Sequence, residues 1–341
     1  MIQFAHSLRP RLSAAGRSWQ SCWFQPQQMY ALGAVRLAFG ALVVLWALWL
    51  LPMRDGLLDP NGAVPMQPSI PHTWGIFAFW RSNEAILLGI IVLLLAGIAL
   101  LVGWHSRVAA IVTFVMVVSF QRWDPWVFNS GDVLVRIEAL FLGLSPCGTA
   151  LSLDQRRRKG SFWSAQTRPN WPIRLIQVQF SLIYIAAAQV KLSGDAWLGG
   201  TAVSYVLRLK DMQRVPFPRW LATNALAMNA VTWGALAIEL AVGVLVWFPR
   251  FRPWVLFAGV LLHLMVEVHI QIGIFSYAML VMYLAWISPI TVQRAPEKLK
   301  RVLRQLHAVR GTTESQLNNK AVNDRENLRG EIEPTVSTTD H

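Results

Sequence analysis

Charged residues are scarce in this sequence. Only 14% of the 341 residues are Asp, Glu, Lys or Arg, whereas 54% are hydrophobic. A typical soluble domain has about 25% charged residues. The composition therefore predicts an integral membrane protein whose outer surface contacts the lipid bilayer.

Cysteine is almost absent as well. The chain has 2 cysteines, Cys22 and Cys147, which are too few for a disulfide framework or a cysteine-based metal site. Motifs of well-known enzyme classes are also missing, since there is no glycine-rich phosphate loop, no G-x-S-x-G elbow and no C-x-x-C pair. We therefore predict no metal ion.

The positive charge of the chain lies in particular places. The net charge is +13 at pH 7, and most basic residues fall in short segments between apolar runs, such as "RRRK" at 156–159. Basic residues next to membrane spans determine orientation, because they stay on the cytoplasmic side. We interpret the charge as an orientation signal and expect no nucleic-acid partner.

Long apolar runs make up most of the remaining sequence. A membrane span has to pair its backbone polar groups internally, so each run predicts a helix. The runs lie at residues 31–51, 84–103, 107–120, 132–147, 173–192, 231–248, 253–271 and 273–290. The predicted fold class is therefore all-α, a polytopic bundle of about eight transmembrane helices. The count is approximate, because two runs are short and only "QIGIF" separates the last two.

The basic segments predict the orientation of this bundle. With an even number of spans, the clusters before the first run, at 156–159 and after the last run all lie on one side. Both termini are therefore expected in the cytoplasm, with the protein in the inner membrane. The basic loop at 193–230 is the exception, and its segment "WLGGTAVSYVLRLKDM" predicts a helix in the headgroup region of the opposite side.

The same pattern divides the chain into three parts. Residues 1–24 form a basic cytoplasmic segment, residues 25–292 the transmembrane domain, and residues 293–341 a polar cytoplasmic tail. Beyond about residue 306 the tail has almost no large apolar side chains. We expect that part to be disordered, because it cannot bury enough apolar surface to fold.

Ionisable residues inside apolar runs are candidate functional residues, because charges are costly in a bilayer. Arg36 and Glu239 have a structural explanation as an ion pair within the bundle. Lys191 could extend its ammonium group to the membrane surface. However, Gln177, Tyr184 and Lys191 are spaced by seven and so lie within about 40° on one helical face. This polar seam predicts a cavity in which Lys191 acts as a general base.

A second pair of polar residues lies in the run at 253–271. His263 and Glu267 are four residues apart and therefore share one helical face. The spacing differs from the H-E-x-x-H zinc motif. His263 is either a hydrogen-bonded core histidine or part of a functional site, and the sequence leaves both interpretations open.

Five segments, in order along the chain, resemble a known family. They are "AVRLAFGALVVL", "FNSGDVLVRIEALFLGLSPCGTALSLD", "KLSGDAW", "IELAVG" and "HLMVEVHIQIGIFSYAML". Together they resemble the horizontally transferred transmembrane (HTTM) domain over roughly residues 25–292. That domain is the membrane part of the vitamin K-dependent gamma-carboxylases and of many bacterial proteins, including a membrane protein that acts in maturation of the sporulation-delaying peptide toxin.

The resemblance implies roles for four of the candidate residues. Lys191 stands where the carboxylases have the lysine proposed to deprotonate reduced vitamin K. His263 matches a family histidine that precedes the "IGxFSY" stretch, here at 272–277. Glu239 and Arg36 match an acidic position and an arginine of the family.

The sequence departs from the carboxylases at one position. They have a second functional histidine just after an asparagine, whereas Asn129 is followed here by Ser130, Gly131 and Asp132. The large soluble domain that binds the protein substrate is not found in this sequence either. Full gamma-glutamyl carboxylation is therefore not expected.

Two functions follow as alternatives. In the first, the protein is a membrane enzyme that acts on a quinol or other lipid-soluble molecule, with a reduced isoprenoid quinone as the candidate cofactor. Lys191 is then the general base, His263 is a hydrogen-bond partner or proton relay, and both face a common cavity. The residues expected to support this pocket are Arg36, Asn129, Asp132, Gln177, Tyr184, Glu239 and Glu267. In the second, it is a non-catalytic accessory protein for maturation or export of a secreted peptide, with the 193–230 loop as the partner surface.

Overall fold

The computed structural model describes residues 16–59, 62, 74–80, 82–297 and 301, and these residues are mostly helical. In the described chain between residues 30 and 283, eight helices have nine residues or more. They are α1 (Tyr30–Met53), α2 (Asn83–Val102), α3 (Ser106–Trp123), α4 (Ser130–Leu144), α5 (Trp171–Leu192), α6 (Ala225–Leu245), α7 (Arg252–His269) and α8 (Phe275–Tyr283). Helices α1 to α7 each contain most of one predicted apolar run, and α8 contains half of the last one, so the all-α prediction is confirmed. The tail beyond 306 lies outside the described residues.

Shorter elements connect these helices. The short helices are Leu153–Lys159, Asp195–Leu198, Ala202–Val206 and Arg219–Ala222, with 3-10 turns at Ile76–Ala78, Cys147–Thr149, Lys210–Met212 and Leu284–Trp286 and a π-helical turn at Arg54–Leu58. Two three-residue strands, β1 (Pro26–Gln28) and β2 (Thr167–Pro169), pair antiparallel with Gln27 opposite Arg168. The sequence analysis did not predict them, because three-residue strands have no readable alternation of apolar and polar residues.

Four helices are long and apolar enough to cross a membrane: Tyr30–Leu58, Asn83–Val102, Trp171–Leu192 and Ala225–Leu245. The segments Phe275–Trp286 and Pro289–Glu297 give a fifth candidate if they count as one span. With a rise of about 1.5 Å per residue, α4 and α8 are shorter than the roughly 30 Å hydrocarbon core. The structure therefore supports a membrane protein, and the number of eight spans stays a prediction.

The helices pack in two groups that α8 connects. In the first, α1 packs against α2, α2 against α3, and α3 against α4; in the second, α6 packs against both α5 and α7. Helix α8 contacts α1, α4, α5 and α7. Large apolar side chains such as Leu45, Leu95 and Leu226 remain exposed on the outside, which is the surface that a bilayer would cover.

The segment at 197–212 differs from its prediction. A single headgroup helix was expected, but the structure has three short helical pieces with a break at Gly200. Gly200 adopts φ +72°, and a Cβ there would come within 2.7 Å of the Trp233 ring nitrogen. The backbone turns at Gly200 because only glycine adopts this conformation readily and leaves room for the indole.

The end of this loop is attached to the break between α7 and α8. Gln213 forms an isolated antiparallel bridge with Ile270. The Arg214 N–H donates to the His269 carbonyl at 3.1 Å, and the Gln271 N–H donates to the Met212 carbonyl at 2.7 Å. This pairing holds Arg214 beside the last turn of α7.

Candidate functional site

Lys191 lies in the last turn of α5 and forms an ion pair with Glu239 of α6. The ammonium group also lies 4.7 Å from the ring centroid of Trp197. The side chain of Lys191 is 23% exposed and that of Glu239 is 12% exposed. Lys191 is therefore held between helices by a carboxylate and an indole rather than extended freely to the surface.

The predicted pair between Arg36 and Glu239 is wrong. Arg36 is fully buried, and its guanidinium donates to the Leu100 carbonyl at 2.7 Å and to the Leu151 carbonyl. Leu100 lies in the last turn of α2, and its carbonyl also accepts from the Gly103 N–H at 3.1 Å, so the guanidinium occupies its second acceptor position. Arg36 satisfies that carbonyl and thereby ties α1 to the end of α2 and to the loop around Leu151.

His263 belongs to a buried chain of hydrogen-bonding groups. The Tyr184 hydroxyl on α5 lies 2.7 Å from His263 Nε2 on α7 and 2.6 Å from the Tyr283 hydroxyl on α8. All three residues are at most 6% exposed. We call Tyr283, Tyr184 and His263 the tyrosine–histidine chain. Each member can give or accept a proton, so the chain can relay one between three helices.

Gln177 is not part of this chain. Its amide donates to the Ala285 carbonyl and accepts from Arg174, both at 2.8 Å. The predicted seam on α5 therefore has three separate sets of partners, one each for Gln177, Tyr184 and Lys191. The hydrogen bond of Gln177 to Ala285 joins α5 to the segment after α8.

A cavity of about 380 Å³ lies between α1, the start of α4 and the break between α7 and α8. Its polar residues include Asn129, Asp132, Arg214, Glu267 and Tyr277, and its apolar walls include Leu42, Leu45, Trp46, Trp49, Val127, Phe128 and Ile274. Glu267 Oε1 accepts from the Arg214 guanidinium at 2.7 Å and from the Tyr277 hydroxyl at 2.9 Å. The cavity is thus mostly apolar with one charged, hydrogen-bonded end.

Asn129 and Asp132 reach this cavity from the start of α4. Asn129 Oδ1 accepts from the Gly131 N–H, and Asp132 Oδ2 accepts from the Asn129 N–H, both at 2.7 Å. They form a capping box, which satisfies backbone N–H groups at the helix start. A helix cap therefore lines this end of the cavity.

The predicted site residues fall into two neighbouring groups. Asn129, Asp132 and Glu267 line the cavity, whereas Lys191 and His263 do not. His263 links the groups, because it shares a face of α7 with Glu267 and its partner Tyr184 shares a face of α5 with Lys191. A common cavity for Lys191 and His263 stays a prediction.

Two of the candidate carboxylates retain an unused acceptor, and so does Glu138 of α4. Among the described residues, Oε2 of Glu239 and Oε2 of Glu267 are buried without a hydrogen-bond partner. A buried oxygen of this kind is costly unless a proton or a ligand occupies it. Both candidate carboxylates can therefore accept a proton. In the described part of the chain, no group of three His, Cys, Asp or Glu could hold a metal ion.

The sequence did not predict three residues of these two groups as site residues: Arg214, Tyr277 and Tyr283. Arg214 lies in a loop and becomes part of the cavity only through the pairing at Ile270. A signal for the tyrosines was present, since the chain has only 5 Tyr and three of them, Tyr184, Tyr277 and Tyr283, lie within apolar runs and in these groups.

The fold and these buried polar groups define a multi-spanning helical membrane protein with ionisable residues between its helices. The chain belongs to the HTTM domain family, whose model matches residues 24–289. It is similar to the "Uncharacterized protein YitO" of Bacillus subtilis (strain 168), at 21% identity over 286 residues that cover 77% of this chain and 85% of that protein. No solved structure gives a significant match. The predicted family is confirmed, and the relation to the carboxylases stays a prediction.

Proposed function

We propose that the protein is a membrane enzyme that binds a lipid-soluble hydroxyl compound of the isoprenoid quinol type and removes a proton from it. The observation that carries this proposal is the cavity, whose charged end at Glu267 lies one helical turn from His263 of the tyrosine–histidine chain. Ligand sites are typically apolar cavities with a few convergent polar groups. Ionisable residues within a membrane bundle commonly mark proton relays.

The cavity suits a molecule with a polar ring and an apolar tail. The indole rings of Trp46 and Trp49 and the ring of Phe128 are wall groups against which an aromatic ring can pack. The Arg214–Glu267–Tyr277 cluster supplies donors and acceptors for a hydroxyl group at one end. Its volume of about 380 Å³ falls within the range of about 300–1,000 Å³ for small-molecule sites.

In this proposal Lys191 is the general base. Loss of the quinol proton breaks the O–H bond and leaves a quinolate. His263 and Tyr184 carry that proton toward Lys191, which lies about 10 Å further along the same face of α5. Lys191 accepts this proton as a neutral amine, after its ammonium has passed one proton to Glu239 within the ion pair. The Oε2 atom of Glu239, which has no other hydrogen-bond partner, is free to hold that proton. Asp132 and Asn129 shape the cavity end through the capping box, and Arg36 contributes by holding α1, which forms one wall.

Quinolate formation tests the proposal directly. The purified protein is titrated under anaerobic conditions with a naphthohydroquinol, and the absorbance of bound quinolate is compared with that of bound quinol. We expect a quinolate band with the wild type, and at least a tenfold smaller band with Lys191→Met because the base is removed. The matched control is Lys210→Met, which removes an exposed lysine outside the site and should behave as wild type.

Two further variants separate the possible causes of a lost band. Lys191→Met leaves the Glu239 carboxylate without its ion-pair partner, which can disturb folding. The double variant Lys191→Met, Glu239→Gln removes that charge as well and so tests whether misfolding causes the loss of the quinolate band. Lys191→Arg keeps a positive charge but not a titratable amine. A full quinolate band with Lys191→Met would contradict the base role. Recovery with Lys191→Arg would show that a fixed charge is sufficient and would favour the accessory function in maturation or export.

A further inference from the structure

A second cavity lies away from the proposed quinol site. It has a volume of about 600 Å³ and lies where the start of α3 meets the short helix Leu153–Lys159 and strand β2. Three separate parts of the chain contribute arginines to it: Arg107 of α3, Arg157 and Arg158 of the short helix, and Arg168 of β2. We call this the arginine cavity.

The arginine cavity carries an uncompensated positive charge. Four arginines and one carboxylate, Asp154, line it, so its net charge is +3 with His105 neutral. In the described residues none of the four arginines has an ion pair. All four side chains are exposed. Arg107 donates one hydrogen bond to the Gly143 carbonyl at 3.4 Å and Arg168 one to Gln166 at 2.7 Å, and a guanidinium group has further N–H donors for a bound anion.

Asp154 offsets one of these positive charges but forms no ion pair with the arginines, because its carboxylate oxygens accept other hydrogen bonds. Oδ1 accepts from the His105 N–H at 2.9 Å, and Oδ2 accepts from the Ser106 N–H and hydroxyl at 3.0 Å. Partial burial alone would raise the pKa of Asp154, but these hydrogen bonds outweigh it and keep the pKa below its ordinary value. Asp154 fastens the short helix to the start of α3 and so holds the arginines in place.

The surroundings of the cavity indicate the level of the membrane surface. Trp104, two residues before α3, and Trp163, four residues before β2, are 45% and 53% exposed. Exposed tryptophans are typical of the headgroup level, where an amphipathic ring contacts both lipid and water. Gly148 provides room at the cavity floor, because a Cβ there would come within 2.7 Å of Asp154 Oδ2.

We propose that the arginine cavity binds the phosphate group of an anionic phospholipid headgroup. A guanidinium group matches phosphate oxygens with two parallel hydrogen bonds, and several arginines around one anion add specificity to charge attraction. The exposed tryptophans favour a headgroup over a free phosphate ion, because they place the cavity where headgroups lie. The site is independent of the proposed quinol chemistry.

Binding to lipid nanodiscs of defined composition tests this site. The full-length protein is reconstituted with phosphatidylcholine containing trace fluorescent phosphatidylglycerol, and the apparent affinity for that anionic lipid is measured. Arg157→Gln with Arg158→Gln should weaken it by roughly 10- to 30-fold, since each surface charge contributes about 1 kcal/mol. The matched control, Arg208→Gln with Arg219→Gln, removes two exposed arginines elsewhere and the same net charge.

A competition arm separates the two sources of phosphate. Inorganic phosphate at millimolar concentration should displace little phosphatidylglycerol, because it lacks an acyl chain to anchor it. Strong displacement that depends on Arg157 and Arg158 would overturn the lipid assignment in favour of a free phosphate site. Equal affinity in both double variants, with the thermal stability of each confirmed, would overturn the arginine cavity as an anion site altogether.

Discussion

Tyr184 is the residue on which the buried polar groups of the bundle converge. Its hydroxyl contacts His263 on one side and Tyr283 on the other, at 2.7 Å and 2.6 Å. A buried polar group that loses its partner costs more free energy than the bond itself contributes. The chain of three groups therefore contributes to stability, in addition to the proton relay that we propose for it.

Replacing Tyr184 by Phe keeps the ring and removes the central hydroxyl. We expect the free energy of unfolding in mixed detergent micelles to fall by about 1–3 kcal/mol, because His263 Nε2 and the Tyr283 hydroxyl both lose a partner. The control Tyr205→Phe removes a hydroxyl from a residue that is 57% exposed and should change stability by less than about 0.5 kcal/mol. Equal stabilities for the two variants would argue against the hydrogen-bonded chain.

The sequence predicted the charged members of the two polar groups more readily than the tyrosines, because the two residue types contrast differently with an apolar run. A charge such as Lys191 or Glu267 stands out in an apolar run because its transfer into lipid is costly. A tyrosine such as Tyr283 has an apolar ring and fits an apolar run without contrast. The partner of each charge is set by which helices are neighbours, and the spacing of residues along one helix does not contain that information.

At the scale of helices, the contact between α7 and α8 depends on a glycine. A Cβ at Gly259 of α7 would overlap the Tyr283 hydroxyl of α8. The absence of a side chain therefore lets the two helices approach and lets Tyr283 reach Tyr184. Glycine within a helix costs roughly 0.5–1 kcal/mol relative to alanine, and here this cost is offset by the close contact.

Two glycine-to-alanine variants measure this contact. Gly259→Ala should lower the free energy of unfolding by about 1–3 kcal/mol, because the added methyl group displaces a buried tyrosine. Gly234→Ala is the matched control, since a Cβ at Gly234 of α6 meets nothing within 4 Å and alanine favours the helix by up to about 1 kcal/mol. A stabilised Gly259→Ala protein would show that Tyr283 does not occupy this place.

At the scale of the whole molecule, the orientation in the membrane remains a prediction from the basic loops. We expect a reporter fused after residue 306 to lie in the cytoplasm, because the basic clusters keep that side of the bundle inside. A second reporter, fused after residue 223 in the loop at 193–230, should lie on the opposite side. Two reporters on the same side, or a periplasmic C-terminus, would contradict the even number of spans.

The class of protein, the helix positions and the family could all be read from the sequence. They depend on composition and on the local order of apolar and polar residues, and a long apolar segment in lipid has few alternatives to a helix. The headgroup helix at 197–212 was wrong because contact with Trp233 on another helix turns the backbone at Gly200.

Only the tertiary structure decided which polar groups meet. Glu239 pairs with Lys191 because α6 packs against α5, whereas Arg36 lies beside the end of α2 and donates to the Leu100 carbonyl. Arg214 enters the cavity because a loop of the chain pairs with the break after α7. Such contacts join residues far apart in the chain, and their free energy depends on distance and burial, which exist only once the helices have packed.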